Sequence, residues 1–314
     1  MDVKKKLELI KRNSVEVINE DKLEGSLKEK KPVVYCGYEP SGDLHIGHLV
    51  TILKLKDFED AGFKVKILLA DWHAWLNKKG DWDFIADQVK KWKASFKKVG
   101  LKDPEVIVGT SFQKKPEYMQ DVFELASGST LNRGVRAMQG VARDIDHAKV
   151  TQIIYPFMQV VDMKSLGVNV VVAGLEQRKI HMIAVESLKD IGFEVPSFVH
   201  TPLIPSLKGE GKMSSSDGGG LISVKDSRKD IEGKIAKAFC PEGEENPVLD
   251  ITKILIFPTF GKLGIKRDKK FGGDVKYDSY EKLEKDFLSK KLHPIDLKKA
   301  VGEKLADLFE KISK

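Results

Sequence analysis

His45 and His48 stand three residues apart in the run Leu44-His45-Ile46-Gly47-His48. At that spacing two imidazoles share one face of a first helical turn. Gly47 between them has no side chain, so a flat ring can approach the backbone there. Far downstream, residues 209–220 read GEGKMSSSDGGG. This stretch carries one cation, Lys212, and three hydroxyls, Ser214, Ser215 and Ser216, between glycines. Lysine is a point charge suited to phosphate, and flanking glycines let a loop close. Two imidazoles at a helix start and a cationic loop suit a nucleotide and its phosphate, while a pair of surface histidines and a solvated linker are the plain alternatives. Zinc is a poorer reading, because His at i and i+3 with no third ligand nearby makes a weak site.

A second set of polar residues sits among apolar ones. Residues 155–162 read YPFMQVVD. The Pro predicts a helix start, where its missing N–H costs nothing. Tyr155, Gln159 and Asp162 fall at i, i+4 and i+7, one stripe of one helix. Met158, Val160 and Val161 occupy its other sides. Polar groups on such a face need partners, since burying them bare costs roughly 1–3 kcal/mol each. An exposed stripe is the plain alternative. Glu176 and Gln177 follow the apolar run at 168–173. Asp71, Trp72 and His73 follow another at 65–70. Carboxyl ends of parallel strands are where α/β sites form, so both clusters are candidate site edges. For the second, a capped strand end with Trp72 and Trp75 in the core serves as well.

The elements that must position these groups alternate in type. The run at 33–37, Val-Val-Tyr-Cys-Gly, predicts a short buried strand ending near Tyr35 and Gly37. Residues 39–43, with Pro and Gly, predict a turn, and helical spacing starts near Leu44. A strand, a turn and a helix N-terminus make a site for anions. Further strands are expected at 65–70, 105–109 and 168–173, with a short apolar run at 198–204. Helices are expected at 82–99, 116–126, 130–143 and 226–238. Residues 1–30 predict one or two amphipathic helices outside the sheet. Strands alternating with helices argue for an α/β fold with a parallel, Rossmann-like sheet. The stretch 241–247, PEGEENP, reads as a boundary. It divides a catalytic domain at 1–240 from a smaller, mostly helical C-terminal domain at 241–314.

Composition bounds the class. The chain has 314 residues and 32% charged side chains. No run of 18 apolar residues occurs, so no membrane span is expected. The basic N-terminus lacks an apolar core and is not a signal peptide. Two cysteines, Cys36 and Cys240, make neither a disulfide framework nor a metal site, and a cytoplasmic protein is the default. The net charge is +7. Residues 261–314 hold 15 Lys and Arg against 10 Asp and Glu, a surplus of +5. That is compatible with a polyanionic partner, although on charge alone a solvated helical surface is the readier explanation.

The order of the two phosphate motifs, HIGH at 45–48 and KMSSS at 212–216, resembles the paired signatures of class I aminoacyl-tRNA synthetases. One departure is visible: Ser215 stands where the broad class has a second Lys. The longer strings VYCGYEPSGDLHIGH, YPFMQVVD, GLEQRKIHM, GEGKMSSS and KLHPID narrow the resemblance to tyrosyl-tRNA synthetases of the short archaeal, eukaryotic-like form. It covers nearly the whole chain.

The resemblance implies an enzyme that activates tyrosine with ATP and transfers it to the 3′-terminal adenosine of tRNA(Tyr). Mg²⁺ would travel with the ATP, and no resident metal is implied. Tyr35 and Asp162 would read the tyrosine phenol, which donates and accepts at once. Tyr155, Gln159 and Gln177 would hold the α-amino group. Gly37, His45, Gly47, His48, Glu176 and Lys212 would bind ATP, with Glu176 on the ribose. Arg136, Arg178 and Lys179 would meet the acceptor end. Phe271, His293, Pro294 and Asp296 would meet the anticodon, where an aromatic stacks on a base and a carboxylate accepts from guanine. A homodimer is expected, with an insertion at about 110–162 serving the dimer and the acceptor stem. The alternatives are a tryptophanyl-tRNA synthetase, a nucleotidyltransferase of the same superfamily, and a non-catalytic RNA-binding relative. No acidic reader of a phenol is expected in the first, and the second needs no basic tail.

Overall fold

A computed structural model describes residues 1–141, 147–209, 221–243 and 245–313. Lys212, Ser214, Ser215 and Ser216 lie outside the described residues, as does the end of the helix expected at 130–143. Within the described residues the chain forms two compact units. The first holds Met1–Gly42, Lys54–Lys97 and Leu101–Pro202. The second holds Asp43–Leu53, Lys98–Gly100 and Leu203–Lys314. The stretch expected to divide the chain, 241–247, falls inside the second unit.

The first unit is built on a six-stranded sheet. Its strands are β1 (Glu16–Ile18), β2 (Val33–Tyr38), β3 (Lys64–Leu69), β4 (Glu105–Val108), β5 (Val170–Gly174) and β6 (Ser197–Thr201). They lie in the order β1-β6-β5-β2-β3-β4. All neighbours are parallel except β1, which runs antiparallel to β6. The four expected strands and the apolar run before the glycine-rich loop therefore all form strands. They could be read because strands covered on both faces are near-continuous apolar runs. Val170, Val171 and Val172 are at most 1% exposed. Removing each from water contributes roughly 1.5–3 kcal/mol before ordering costs.

Two expectations need correction here. The N-terminal segment forms the helices Val3–Lys11 and Glu20–Ser26, but it also adds β1 to the sheet. A three-residue edge strand has no period to read, and its partner is some 180 residues away. Pro156 does not start a helix. It lies inside Val150–Leu166. The turn upstream of it is fixed by a local cap and from outside: Lys149 N–H donates to Gln152 Oε1 at 2.9 Å within the turn, while Thr151 Oγ1 donates to the Leu76 carbonyl at 3.1 Å and Gln152 Nε2 to Asn77 Oδ1 at 3.0 Å. These contacts offset the backbone bond that proline removes.

In the second unit the helix Arg228–Lys237 packs on Pro294–Ser313. Arg228 pins them together, donating to Asp307 at 2.6 Å and Glu310 at 2.8 Å. The tail was expected to be mostly helical. It also contains a hairpin of β7 (Leu263–Ile265) and β8 (Val275–Tyr277). Among the described residues no helix is long and apolar enough to cross a membrane.

Candidate functional site

The polar stripe on Val150–Leu166 is not a solvated face. Asp162 is fully buried and Tyr155 is 5% exposed. Asp162 Oδ1 accepts from the Tyr118 hydroxyl and from Gln113 Nε2, each at 2.8 Å. Its other oxygen, Oδ2, has no hydrogen-bond partner and lies 3.6 Å from His73 Nε2. Burial pushes the Asp162 carboxyl up to about 7, against the pull of the Gln113 and Tyr118 hydrogen bonds. Burial holds His73 down to about 3, so its ring is neutral. His73 in turn stands edge-on to the Tyr155 ring, centroids 4.6 Å apart.

Tyr35, on β2, is 2% exposed and close enough for the Asp162 charge to disfavour its phenolate. Burial is the larger cause, and it keeps Tyr35, Tyr118 and Tyr155 as neutral phenols. The Tyr35 hydroxyl lies over Gly37, where a Cβ would meet it at 2.7 Å. So Gly37 does allow a close approach, by its own strand neighbour. The Glu39 carboxylate, whose charge further disfavours the Tyr155 phenolate, accepts from Asn77 Nδ2 at 3.0 Å. Gln159 Nε2 reaches Gln177 Oε1 at 3.4 Å, and Gln177 Nε2 reaches Glu176 Oε1 at the same distance. Glu176 folds over Gly174, where any Cβ would collide with its carboxylate. Its Oε2 is buried without a partner.

Four contributors to this cluster were not singled out from sequence: Gln113, Tyr118, Glu39 and Thr110. Thr110 fixes Asp71, donating from its N–H at 2.9 Å to Oδ1 and from its hydroxyl at 2.6 Å to Oδ2. Thr110 and Gln113 follow β4, another parallel strand with its carboxyl end toward the site, and that rule was the available signal. Tyr118, in Pro116–Ser127, has no such signal. The expected cluster at 71–73 does join the site, through His73.

His45 and His48 belong to the second unit. His45 lies just before the helix Ile46–Ala61, bridged antiparallel to Ser223. Ile46 N–H donates to the Ile222 carbonyl at 2.9 Å, and Val224 N–H to the Leu44 carbonyl at 3.0 Å. The HIGH turn is therefore stitched to the residues that follow the glycine-rich loop. The two rings lie 3.6 Å apart between centroids. His48 Nδ1 accepts from the His45 N–H at 3.1 Å, and His45 Nδ1 from the Gly47 N–H at 3.2 Å. The His45 ring packs on Gly47, 3.1 Å from where a Cβ would stand. Burial lowers His45 to about 4 and His48 well below its usual value. Both are neutral near pH 7.

The candidate RNA contacts are also placed. Arg136 Nε donates to the Asn132 carbonyl at 3.3 Å, Lys179 Nζ to Gln139 Oε1 at 2.6 Å, and Arg178 Nε to Glu16 at 2.8 Å. Phe271 is 62% exposed, with Lys270 over its ring at 4.9 Å. Pro294 opens the last helix and Asp296 lies in its first turn. The side chain that caps this helix is His293, whose Nδ1 accepts from the Ile295 N–H at 3.2 Å. Among the described residues no group of three or more His, Cys, Asp or Glu could hold a metal ion.

Comparison with known proteins matches residues 27–310 to the family described as tRNA synthetases class I (W and Y). The chain is 47% identical over 315 residues to the tyrosine–tRNA ligase of Archaeoglobus fulgidus, covering 99% of this chain and 97% of that one. It is 45% identical to the tyrosine–tRNA ligase of Methanoculleus marisnigri, covering 96% of each. Among solved structures it resembles the A. fulgidus tyrosyl-tRNA synthetase complexed with L-tyrosine. That TM-score is 0.96 at 46% identity, over 99% of this chain and 98% of the other.

Proposed function

This chain belongs to the class I tRNA synthetases of the tryptophan and tyrosine type, and we propose that it is a tyrosine–tRNA ligase. Its observed α/β sheet and helical C-terminal region fit that family. The observation that carries the choice of amino acid is the buried Asp162. One of its oxygens is saturated by Tyr118 and Gln113, and the other has no hydrogen-bond partner. A buried carboxylate oxygen without a donor is costly unless a substrate supplies one. A phenol O–H is such a donor, and Tyr35 can donate back to the phenol oxygen.

The remaining roles are those that the family resemblance implies for the matching residues. Tyr155, Gln159 and Gln177 hold the substrate α-amino group, and Glu176 takes the ATP ribose near Gly37. The tyrosine carboxylate attacks the α-phosphorus of ATP in line, and pyrophosphate leaves with its electron pair. Catalysis is then positioning and charge stabilisation rather than a covalent enzyme intermediate. His45, Gly47, His48, Lys212 and the hydroxyls of Ser214, Ser215 and Ser216 serve the phosphates, with Mg²⁺ arriving on the ATP. A terminal ribose hydroxyl of tRNA(Tyr), the 2′-OH by class analogy, then attacks the carbonyl carbon of the tyrosyl-adenylate. The ester C–O bond forms, the mixed-anhydride C–O bond breaks, AMP leaves with that electron pair, and the hydroxyl proton passes to the departing phosphate.

Arg136, Arg178 and Lys179 meet the acceptor end, and Phe271, His293, Pro294 and Asp296 the anticodon. Residues 241–314 act as the anticodon module and about 110–162 as the dimer and acceptor-stem insertion of a cytoplasmic homodimer. The test is amino-acid-dependent ATP–pyrophosphate exchange over all twenty amino acids. Exchange with tyrosine alone is expected. Exchange with tryptophan in place of tyrosine overturns the reading.

A further inference from the structure

Strand β1 brings Glu16 opposite His200 of β6. Around that pair runs a chain of four side chains, all in the first unit. Both Glu16 oxygens accept from Arg178 Nε, at 3.0 and 2.8 Å. Glu16 Oε2 also meets His200 Nδ1 at 2.9 Å. His200 Nε2 meets His181 Nδ1 at 2.8 Å. His181 and His200 are fully buried, and His181 stacks on Phe198 with centroids 4.7 Å apart.

The protons on this chain can be assigned from the carboxylate outward. Burial lowers both imidazoles, so each is neutral and carries one N–H. Glu16 only accepts, so His200 must donate from Nδ1. Its Nε2 is then an acceptor, and His181 donates to it from Nδ1. His181 Nε2 is left as a bare acceptor, and it has no partner among the described residues. The buried pair thus has one consistent tautomer state, and it orients the Glu16 carboxylate from behind.

The exposed end of the chain is Arg178, at the start of the helix Arg178–Ser187. Its side chain is 46% exposed. Glu16 takes its Nε, and among the described residues nothing else bonds its two Nη groups. An arginine held by its stem presents its outer N–H fork in one direction, suited to a planar or tetrahedral anion. Its intrinsic cost of ordering is met before any ligand arrives.

We propose that Glu16, oriented by His200 and His181, is a positioning residue for tRNA charging that aims the Arg178 fork at a phosphate of the tRNA acceptor end. This rests on the assignment of Arg178 to the acceptor end made above. Neither Glu16 nor the histidine pair touches the reacting atoms, so the role is confined to tRNA.

Glu16→Gln, Arg178→Ala and the double variant test this in the full-length enzyme, by tyrosine-dependent pyrophosphate exchange and by charging of a tRNA(Tyr) transcript. Glu16→Gln is expected to leave exchange within about twofold and raise KM for tRNA roughly tenfold, as for one loosened charge-assisted contact, with a smaller change in kcat. The double variant should be no worse than Arg178→Ala alone, and Glu16→Asp should recover part of the loss. A normal KM in Glu16→Gln beside a raised KM in Arg178→Ala overturns the positioning role but keeps Arg178 on the acceptor end. A normal KM in Arg178→Ala overturns the acceptor-end assignment itself, and the inference with it. Equal losses of exchange and charging in Glu16→Gln, with a lowered Tm, make Glu16 a general structural residue and overturn the inference.

Discussion

The Tyr118 hydroxyl occupies one oxygen of Asp162 at 2.8 Å, and the other oxygen is left without a hydrogen-bond partner. Asp162 sits on Val150–Leu166 and Tyr118 on Pro116–Ser127. Gln113 adds a second donor to the same oxygen. The carboxylate is thereby fixed in rotation in the free protein, so a ligand on its other oxygen would meet a pre-ordered acceptor.

Asp162→Ala should lose much of the preference for tyrosine over phenylalanine in pyrophosphate exchange. Removing the acceptor of a buried phenol costs roughly 1–3 kcal/mol, or about five- to a hundredfold in the ratio of kcat/KM values. ATP binding should survive. An unchanged tyrosine-to-phenylalanine ratio removes Asp162 from the phenol site.

Tyrosine binding should depend on pH through the same group. Burial pushes the Asp162 carboxyl up to about 7. The form that accepts the phenol O–H is the carboxylate, which dominates above that value. Tyrosine Kd should be flat at higher pH and rise by up to about tenfold per pH unit below 7. Tyr118→Phe removes a hydrogen bond to the charged form, so its transition should move to higher pH. Tyrosine titrations of wild type, Tyr118→Phe and Asp162→Asn would show this, with the last flat. A pH-dependent Asp162→Asn assigns the titration elsewhere.

Stability should fall on mild acidification. His73 and His181 are fully buried and lowered from 6.5. Groups with depressed folded values contribute stability above the unfolded value and lose it as pH falls below 6.5. Asp162 acts oppositely, since its folded value lies above its unfolded one, and it favours the folded state as pH falls from 7 toward 4. His45, His48 and His200 are lowered as well, so the depressed imidazoles outnumber the one raised carboxyl and the net effect below 6.5 is a loss of stability. Urea unfolding at successive pH values checks the sign. A rise in stability between pH 6.5 and 5 contradicts it.

Lys212→Ala should slow adenylate formation on the order of a hundredfold, as for one lost charge at the transition state, with a smaller change in tyrosine affinity. Stopped-flow measurement of adenylate formation reads this directly. An unchanged rate leaves Lys212 without a role in the step.

Asp296→Ala should weaken charging of wild-type tRNA and narrow its advantage over a tRNA with the first anticodon guanine replaced. One such contact is worth roughly 1–3 kcal/mol of base discrimination. The helix cap is supplied by His293, so the substitution removes no capping hydrogen bond. Exchange should be untouched. An unchanged ratio between the two tRNAs places the guanine reader elsewhere.

The amino-acid sequence alone was enough to establish the buried strands, the α/β class and the polar stripe. Strands β2 to β6 are short apolar runs because both faces of a parallel sheet are covered. The helical period puts Tyr155, Gln159 and Asp162 on one line, since backbone geometry sets that spacing whatever surrounds it. Motif order between His45 and Lys212 carried the family resemblance.

Tertiary structure alone decided which groups complete the site. Tyr118 and Gln113 reach Asp162 across more than 40 residues, and nothing local in either segment marks the contact. Edge strand β1 is too short for a pattern and exists because Glu16–Ile18 finds the open side of β6. Pro156 sits inside a helix because contacts to Leu76 and Asn77 outweigh the local rule. The His181–His200 pair reads as two unrelated histidines until the sheet sets them 2.8 Å apart. Periodicity records which face of an element is buried, while the partner on that face is chosen by packing between elements distant in sequence.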